Sequence, residues 1–274
     1  MSTVARVNKL NIVTMTTIGV YQSVDTQWPI RDIVSDGVYL YCAFGLGCTY
    51  PTKIVKVDNA TMTSIASLDI TFGITSMIFD GTYLYISYSD GINIWIDKIN
   101  PITMMVVVHS QVIYPALQPL TFPILTNGPA NTIYILAMRP PRAEVITVDT
   151  TTMTYLNHWS ELEVLGLPVY HCINYINGFI YVGLSHVYKI DITTMTTVDQ
   201  WNYPILNQWT CSIYNDGVSI YIGIGDPFGW GAGLLKPIVY QVNPAVMVTT
   251  GSWIPVPFAG YDATDMTING LYIC

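Results

Sequence analysis

A short phrase consisting of an aliphatic strand end, Asp or Asn, three residues and Met occurs six times along the chain. It reads LNIVTM at Leu10–Met15, VDNATM at Val57–Met62, INPITM at Ile99–Met104, VDTTTM at Val148–Met153, IDITTM at Ile190–Met195 and VNPAVM at Val242–Met247. The Asp/Asn positions (Asn11, Asp58, Asn100, Asp149, Asp191, Asn243) lie 47, 42, 49, 42 and 52 residues apart. A unit of that length cannot bury its own apolar face, so a sequence that repeats it must stack the copies against one another. This is the strongest constraint on the fold.

A second phrase alternates with the first. Asp36-Gly37, Asp80-Gly81, Asn177-Gly178, Asp216-Gly217 and Asn269-Gly270 each precede an alternation of Tyr with aliphatic residues, and Asn131-Thr132 stands in a degraded third copy. Asp-Gly or Asn-Gly between alternating apolar runs is the strongest short-range hairpin signal, because both residues tolerate the positive φ of a tight primed turn. Each unit therefore reads as four antiparallel strands, joined 1–2 by the Gly turn and 3–4 by the Asp/Asn…Met turn. Repetition of such units in the forties is expected to give an all-β, six-bladed β-propeller in one domain over residues 1–274. The phrases are out of step at the ends. Residues near Tyr261–Cys274 are expected to supply the inner two strands of the last blade and residues near Val4–Tyr21 the outer two, a 2+2 closure that brings the termini together and removes exposed edges.

Composition narrows the function. Hydrophobic residues make up 51% of the chain, yet apolar runs are only strand-length, short of the ~20 residues of a membrane helix. No membrane insertion is expected, and MSTVARVNKL has no apolar core of signal-peptide type. Asp, Glu, Lys and Arg total 10%, against about 25% in ordinary domains. With few carboxylates to protonate, acid should cost such a protein little stability. A net charge of −8 with ten Lys and Arg provides no basic stripe for phosphates, which argues against nucleic acid. The five cysteines (Cys42, Cys48, Cys172, Cys211, Cys274) lack zinc spacing. Buried strand thiols are favoured over a local Cys42–Cys48 bridge.

Both regular turns open on one side of a blade, and the irregular segments open on the other. The irregular segments are Gly45–Thr52, Gln111–Pro123, Arg139–Ala143, Glu161–Pro168, Gly225–Leu235 and Pro255–Tyr261. Variable loops on a rigid scaffold are where binding concentrates. Tyr50, Tyr114, Phe122, Phe228, Trp230, Phe258 and Tyr261 lie on or beside them and are the expected ligand-binding residues, suited to stacking on a sugar or filling pockets of a protein partner. The six Asp/Asn–Met pairs are read as structural, with the Asx side chains accepting turn N–H groups and Met packing beneath. Tyr21, Trp159, Trp201 and Trp253, each six residues after a motif Met, are read as packing between blades.

The innermost strands bring Arg31, Asp32, His171, Asp262 and Asp265 toward a central channel, with Thr75, Ser76 and Thr210 nearby. Arg31 with Asp32 is one expected ion pair. Six-bladed lactonase-type propellers hold calcium in the channel with Glu, Asn and Asp, but the three Glu (Glu144, Glu161, Glu163) fall on no expected inner strand. No Gly-x-Ser-x-Gly or His-Glu-x-x-His pattern is present, so no catalytic, metal or cofactor residue is assigned. Over its length the strand–Asp/Asn-Gly–strand–Asp–turn rhythm resembles YVTN- or NHL-type propellers. It lacks the Gly-His…Trp-Asp pair of WD40 blades and the double Gly of kelch. The low charge with abundant Tyr, Thr and Ile is similar to virion or surface proteins of archaeal viruses from hot acid, which implies a thermostable, acidophilic setting. The resemblance implies architecture; the irregular aromatic loops lead to the expectation of a non-catalytic structural or binding propeller, a virion or surface component, engaging a protein or glycan through its loop face. The alternative is a channel-centred, metal-dependent hydrolase or lactonase.

Overall fold

The computed structural model describes residues 6–11, 16–23, 28–45, 50–89, 93–112, 121–139, 142–162, 172–184, 186–202, 209–215, 217–225 and 238–253. They are all β, with no helix among them. The chain divides into two compact units, residues 1–157 and 158–274.

In the first unit, β1 (Arg6–Asn11) and β2 (Thr16–Gln22) form a two-stranded sheet. A first four-stranded sheet follows in chain order: β3 (Ile30–Ser35), β4 (Tyr39–Gly45), β5 (Thr52–Asp58) and β6 (Thr63–Ile70). The second is β7 (Ser76–Phe79), β8 (Leu84–Ser89), β9 (Ile94–Asn100) and β10 (Met105–Val112). The third is β11 (Thr121–Asn127), β12 (Thr132–Arg139), β13 (Arg142–Asp149) and β14 (Thr154–Leu162), the last of which continues into the second unit. There the fourth sheet is β15 (Cys172–Ile176), β16 (Phe179–Gly183), β17 (Val187–Asp191) and β18 (Thr196–Trp201). The fifth is β19 (Trp209–Asn215), β20 (Ile220–Gly225), β21 (Ile238–Asn243) and β22 (Val248–Trp253). Among the described residues every strand pairing is antiparallel between neighbours in sequence, as the two turn phrases require.

The Asp/Asn…Met turn is the same in each described copy. The backbone N–H groups of Ala60 and Thr61 both donate to Asp58 Oδ1 at 2.8 Å, and Asn100, Asp149, Asp191 and Asn243 accept in the same way. The Met N–H closes the turn onto the Asp/Asn carbonyl at 2.8 Å for Met62, Met104 and Met195. Met62, Met104, Met153, Met195 and Met247 have φ between 47° and 57°, a left-handed conformation that side chains other than Gly and Asn seldom adopt. All five are buried beneath their turns, and their burial in the core offsets the backbone cost. The expected packing of Met is present, and the positive φ is an addition to it. A bulge follows on the outer strand, where the register slips between Lys56 and Val57, Lys189 and Ile190, and Gln241 and Val242.

The Gly turns are of two kinds. Asn177 and Gly178 both have positive φ (48° and 88°), which makes the primed two-residue hairpin. At Asp36-Gly37 and Asp80-Gly81 only the Gly is left-handed, and the Asp serves as an acceptor, Asp36 Oδ1 for the N–H groups of Val38 and Tyr39. In the degraded copy Asn131 takes the positive φ, at 60°.

A lysine two residues before the Asp/Asn ties one sheet to the next. Lys9 donates to the Asn59 carbonyl (2.8 Å), Lys56 to Pro101 (2.8 Å), Lys98 to Thr150 (3.0 Å) and Lys189 to Pro244 (2.6 Å). Each acceptor is the residue after the Asp/Asn of the following turn. Lys56, Lys98 and Lys189 also sit over the rings of Tyr39, Tyr83 and Phe179, at 4.0, 4.2 and 4.3 Å from the centroids. The regular-turn side is thus a tied surface.

Acid sensitivity follows from these turns. Thr61 N–H and its hydroxyl hold Asp58 below the ordinary 3.8, the N–H groups of Thr152 and Thr151 do so for Asp149, and the Thr193 hydroxyl and N–H for Asp191. A depressed carboxylate contributes stability above its unfolded value and loses it as pH falls through its folded value. Melting temperature should therefore hold from neutral pH to about pH 4 and fall only below it. A chain carrying Asp58→Asn, Asp149→Asn and Asp191→Asn should lose less over the same interval, as thermal melts at stepped pH would record.

Candidate functional site

The described inner-strand residues serve as braces. Asp32 Oδ1 accepts the N–H of Ile33 at 2.8 Å, and its Oδ2 accepts the N–H of Met77 at 2.6 Å, on the next inner strand. Ser76 Oγ accepts the Leu125 N–H, Thr75 Oγ1 donates to the Pro123 carbonyl, and Asn174 donates to the Ile213 carbonyl in the same manner. Arg31 is the extra residue of a bulge between Ile30 and Asp32 and is exposed. Its expected ion pair with Asp32 is not formed, because the Asp32 oxygens face backbone donors. His171, Asp262 and Asp265 lie outside the described residues. Among those described, no group of three or more His, Cys, Asp or Glu is placed to hold a metal.

Of the expected ligand-binding aromatics, Tyr50 is 58% exposed in the segment between β4 and β5. Phe122 falls on the inner strand β11, because strand pairing begins at Thr121 and shortens the irregular segment. Tyr114, Phe228, Trp230, Phe258 and Tyr261 lie outside the described residues. The Arg139–Ala143 segment is not an irregular insertion, since β12 and β13 pair through to Arg139 opposite Arg142. Neither Cys42 nor Cys172 is in a disulfide, and burial pushes the Cys42 thiol up to about 12. Cys48, Cys274 and the side chain of Cys211 lie outside what is described.

The residue six past each motif Met shows how neighbouring sheets are plugged together. Trp159 on β14 is 4% exposed, lies 5.6 Å from the Tyr188 ring on β17 and donates its indole N–H to Thr197 Oγ1 on β18 at 3.0 Å. Trp201 on β18 repeats the arrangement with Tyr240 at 5.3 Å and Thr249 Oγ1 at 3.0 Å. Tyr21, 7% exposed, packs against Phe44 at 6.3 Å.

Two other junctions lack this plug. Between the second and third four-stranded sheets Ser110, Ile146 and Tyr155 stand at the Trp, Tyr and Thr positions, and the junction of the first and second departs from it with a polar cluster. There Leu68 stands at the Trp position, Asp97 at the Tyr position and Val106 at the Thr position. Asp97 is 4% exposed, and its Oδ1 lies 2.7 Å from His109 Nδ1 across the β9–β10 pair. The Tyr88 hydroxyl donates to Asp97 Oδ1 at 3.3 Å and sits 3.0 Å from the same nitrogen. Burial holds the Asp97 carboxyl above its ordinary range, partly offset by the hydrogen bonds of His109 and Tyr88. Burial also pushes the Tyr88 phenol up.

Four rings form a near-parallel series through this cluster. Phe72 lies 5.5 Å and 16° from Tyr88, Tyr88 lies 6.3 Å and 25° from His109, and His109 lies 4.8 Å and 14° from Trp95. Phe72 is 39% exposed and the His109 side chain 53%. Beside them Gln111 Nε2 donates to Asn93 Oδ1 at 2.7 Å. Phe72 follows β6 and Asn93 precedes β9, so the cluster lies at the irregular end of the two sheets, opposite the tied turns. The sequence reading missed it because Asp97 and His109 are distant on the chain and meet only through the β9–β10 register. The available signal was an Asp where the equivalent positions, Val55, Ile146, Tyr188 and Tyr240, are aliphatic or aromatic.

A separate hollow of about 600 Å³ lies on the turn side between Asp80–Thr82 and Gly128–Thr132, where the degraded phrase occurs. Asp80 Oδ1 is already taken there by the N–H groups of Thr82 and Tyr83.

No family model and no curated protein sequence matches the chain. Among solved structures it is similar to hydrazine synthase of Kuenenia stuttgartiensis, with a TM-score of 0.64 at 15% identity over 88% of this chain and 70% of that one. It is also similar to U3-55K, with a TM-score of 0.59 at 11% identity over 84% of this chain and 65% of that one. At such identities the likeness carries fold alone, and with the repeated four-stranded sheets it identifies a β-propeller fold.

Proposed function

We propose that the chain is a non-catalytic binding propeller that engages a glycan or protein through its irregular side. In this reading it has six blades, the last completed by the two ends of the chain, and serves as an adhesion or interaction scaffold at a virion or cell surface. The low charged fraction supports that setting. The observation that carries the binding role is the junction of the first two four-stranded sheets, where the apolar plug gives way to the Asp97–His109–Tyr88 cluster and a row of partly exposed rings. Departures from a locally consistent repeat are expected at functional positions. The tied turn side leaves its conserved geometry to stability, and Asp32 is committed to bracing.

The test uses the folded full-length chain on immobilised glycan and protein arrays. Tyr50→Arg with Phe72→Arg should abolish retention, whereas Ile102→Arg with Val246→Arg, at residues 84% and 58% exposed on the turn side, should leave it unchanged. Retention lost only with the turn-side pair would refute the proposal. So would stoichiometric calcium in the purified protein together with lactone hydrolysis that disappears in Asp32→Asn.

A further inference from the structure

We infer that the junction between the first and second four-stranded sheets is a docking site for a neutral saccharide, seated on Phe72 and hydrogen-bonded by His109. This deepens the binding reading and rests on it. Three observations point to a sugar. First, Tyr88 covers one face of Phe72, yet Phe72 remains 39% exposed, which offers a flat apolar surface of the kind that the C–H face of a pyranose covers. Second, the cluster turns two polar groups outward, the His109 ring and the Gln111 amide. His109 Nδ1 is committed to Asp97 whichever way the shared proton lies, so Nε2 is the nitrogen left for a ligand, and no described residue engages it. Gln111 donates one amide N–H to Asn93, which leaves its carbonyl oxygen as an acceptor. Third, the one carboxylate of the cluster, Asp97, is 4% exposed and turned to His109 and Tyr88, so it orients the imidazole instead of meeting the ligand. An imidazole held by a buried carboxylate on one nitrogen has a fixed plane and a fixed outward atom, the same device that orients histidines in metal sites.

Hydroxyl groups donate and accept, so a saccharide satisfies His109 Nε2 in either role, and the Gln111 carbonyl, while one of its rings covers the aromatic face. A charged sugar gains nothing, since no exposed ion is available to it in the cluster. A protein side chain inserted here would have to pair with His109 and Gln111 through polar groups while stacking on Phe72, a combination that neighbouring residues of an oligosaccharide supply together.

The experiment is titration calorimetry of the full-length chain with cellohexaose, maltohexaose, mannohexaose, xylohexaose and chitohexaose. At least one should bind, and Phe72→Ala and His109→Ala should each weaken it at least tenfold. His109→Gln, which keeps a polar side chain at that position, should weaken it less than His109→Ala. Circular dichroism of each variant separates lost binding from lost fold, and Phe72→Ala, at a partly exposed position, serves if His109→Ala misfolds. Absence of binding across the panel, or binding indifferent to both positions, overturns the inference. If the panel is silent while protein spots on the array are lost with Phe72→Arg, the saccharide is wrong and the binding role stands.

Discussion

Replacing Trp201 with Ala should destabilise the protein by about 3–5 kcal/mol, the range for removing a large buried aromatic. The indole is 4% exposed, stacks at a tilt on Tyr240 5.3 Å away and bonds Thr249 at 3.0 Å. Its loss opens a cavity between the fourth and fifth sheets and strips a partner from a hydroxyl on the outer strand. The cavity should dominate, because a neutral hydrogen bond contributes only about 1 kcal/mol net. Trp201→Phe, which keeps most of the ring and loses the N–H, should therefore cost about 1–2 kcal/mol. Val198, 52% exposed on the same strand, should tolerate Ala within about 0.5 kcal/mol. Urea unfolding of the three variants checks the order. A Trp201→Ala chain within about 1 kcal/mol of the parent would show that the residue is not an inter-sheet plug.

Much of the scaffold was legible because it is local. Asp-Gly and Asn-Gly before alternating Tyr or aliphatic residues marked four of the five described hairpins between first and second strands, the third sheet having Asn131-Thr132. The Asx acceptors at Asp58, Asp149 and Asp191 lie within their own turns. The aromatic six residues past the motif Met was readable from its period alone. Other features depend on partners far along the chain. Lys9, Lys56, Lys98 and Lys189 recur two residues before the Asp/Asn, yet each acceptor carbonyl lies about a full repeat away, and Thr147 and Gln241 interrupt the series. The left-handed Met is hidden for another reason. Gly or Asn is the ordinary signal for that conformation, and here a long unbranched side chain occupies it because its burial outweighs the strain. The cluster at Asp97 and His109 was the least legible, since antiparallel register and ring packing create it and no phrase announces it. Inner-strand polar residues misled in the opposite direction. Asp32 reads as a channel carboxylate by position, but it faces Met77 N–H on the adjacent strand.

In the proposed function the junction of the first two four-stranded sheets carries Asp97, His109 and Tyr88, in place of a plug like that of Trp201, in order to bind. If so, writing the plug back should stabilise the fold and remove the site, because functional positions are generally not optimal for stability. The fifth sheet and Trp201 supply the template. Leu68→Trp, Tyr88→Ile, Asp97→Tyr, Val106→Thr and His109→Ser place at this junction the residue types found at Trp201, Ile224, Tyr240, Thr249 and Ser252. The change replaces a buried, desolvated carboxyl with an aromatic ring and supplies the Trp–Thr hydrogen bond found around Trp159 and Trp201. Thermal melting of this chain against the parent, at one neutral pH, is the most direct measurement. A higher melting temperature with no retention on the arrays is the predicted result. A lower one would contradict it, by showing that Asp97, His109 and Tyr88 are themselves what holds these two sheets together.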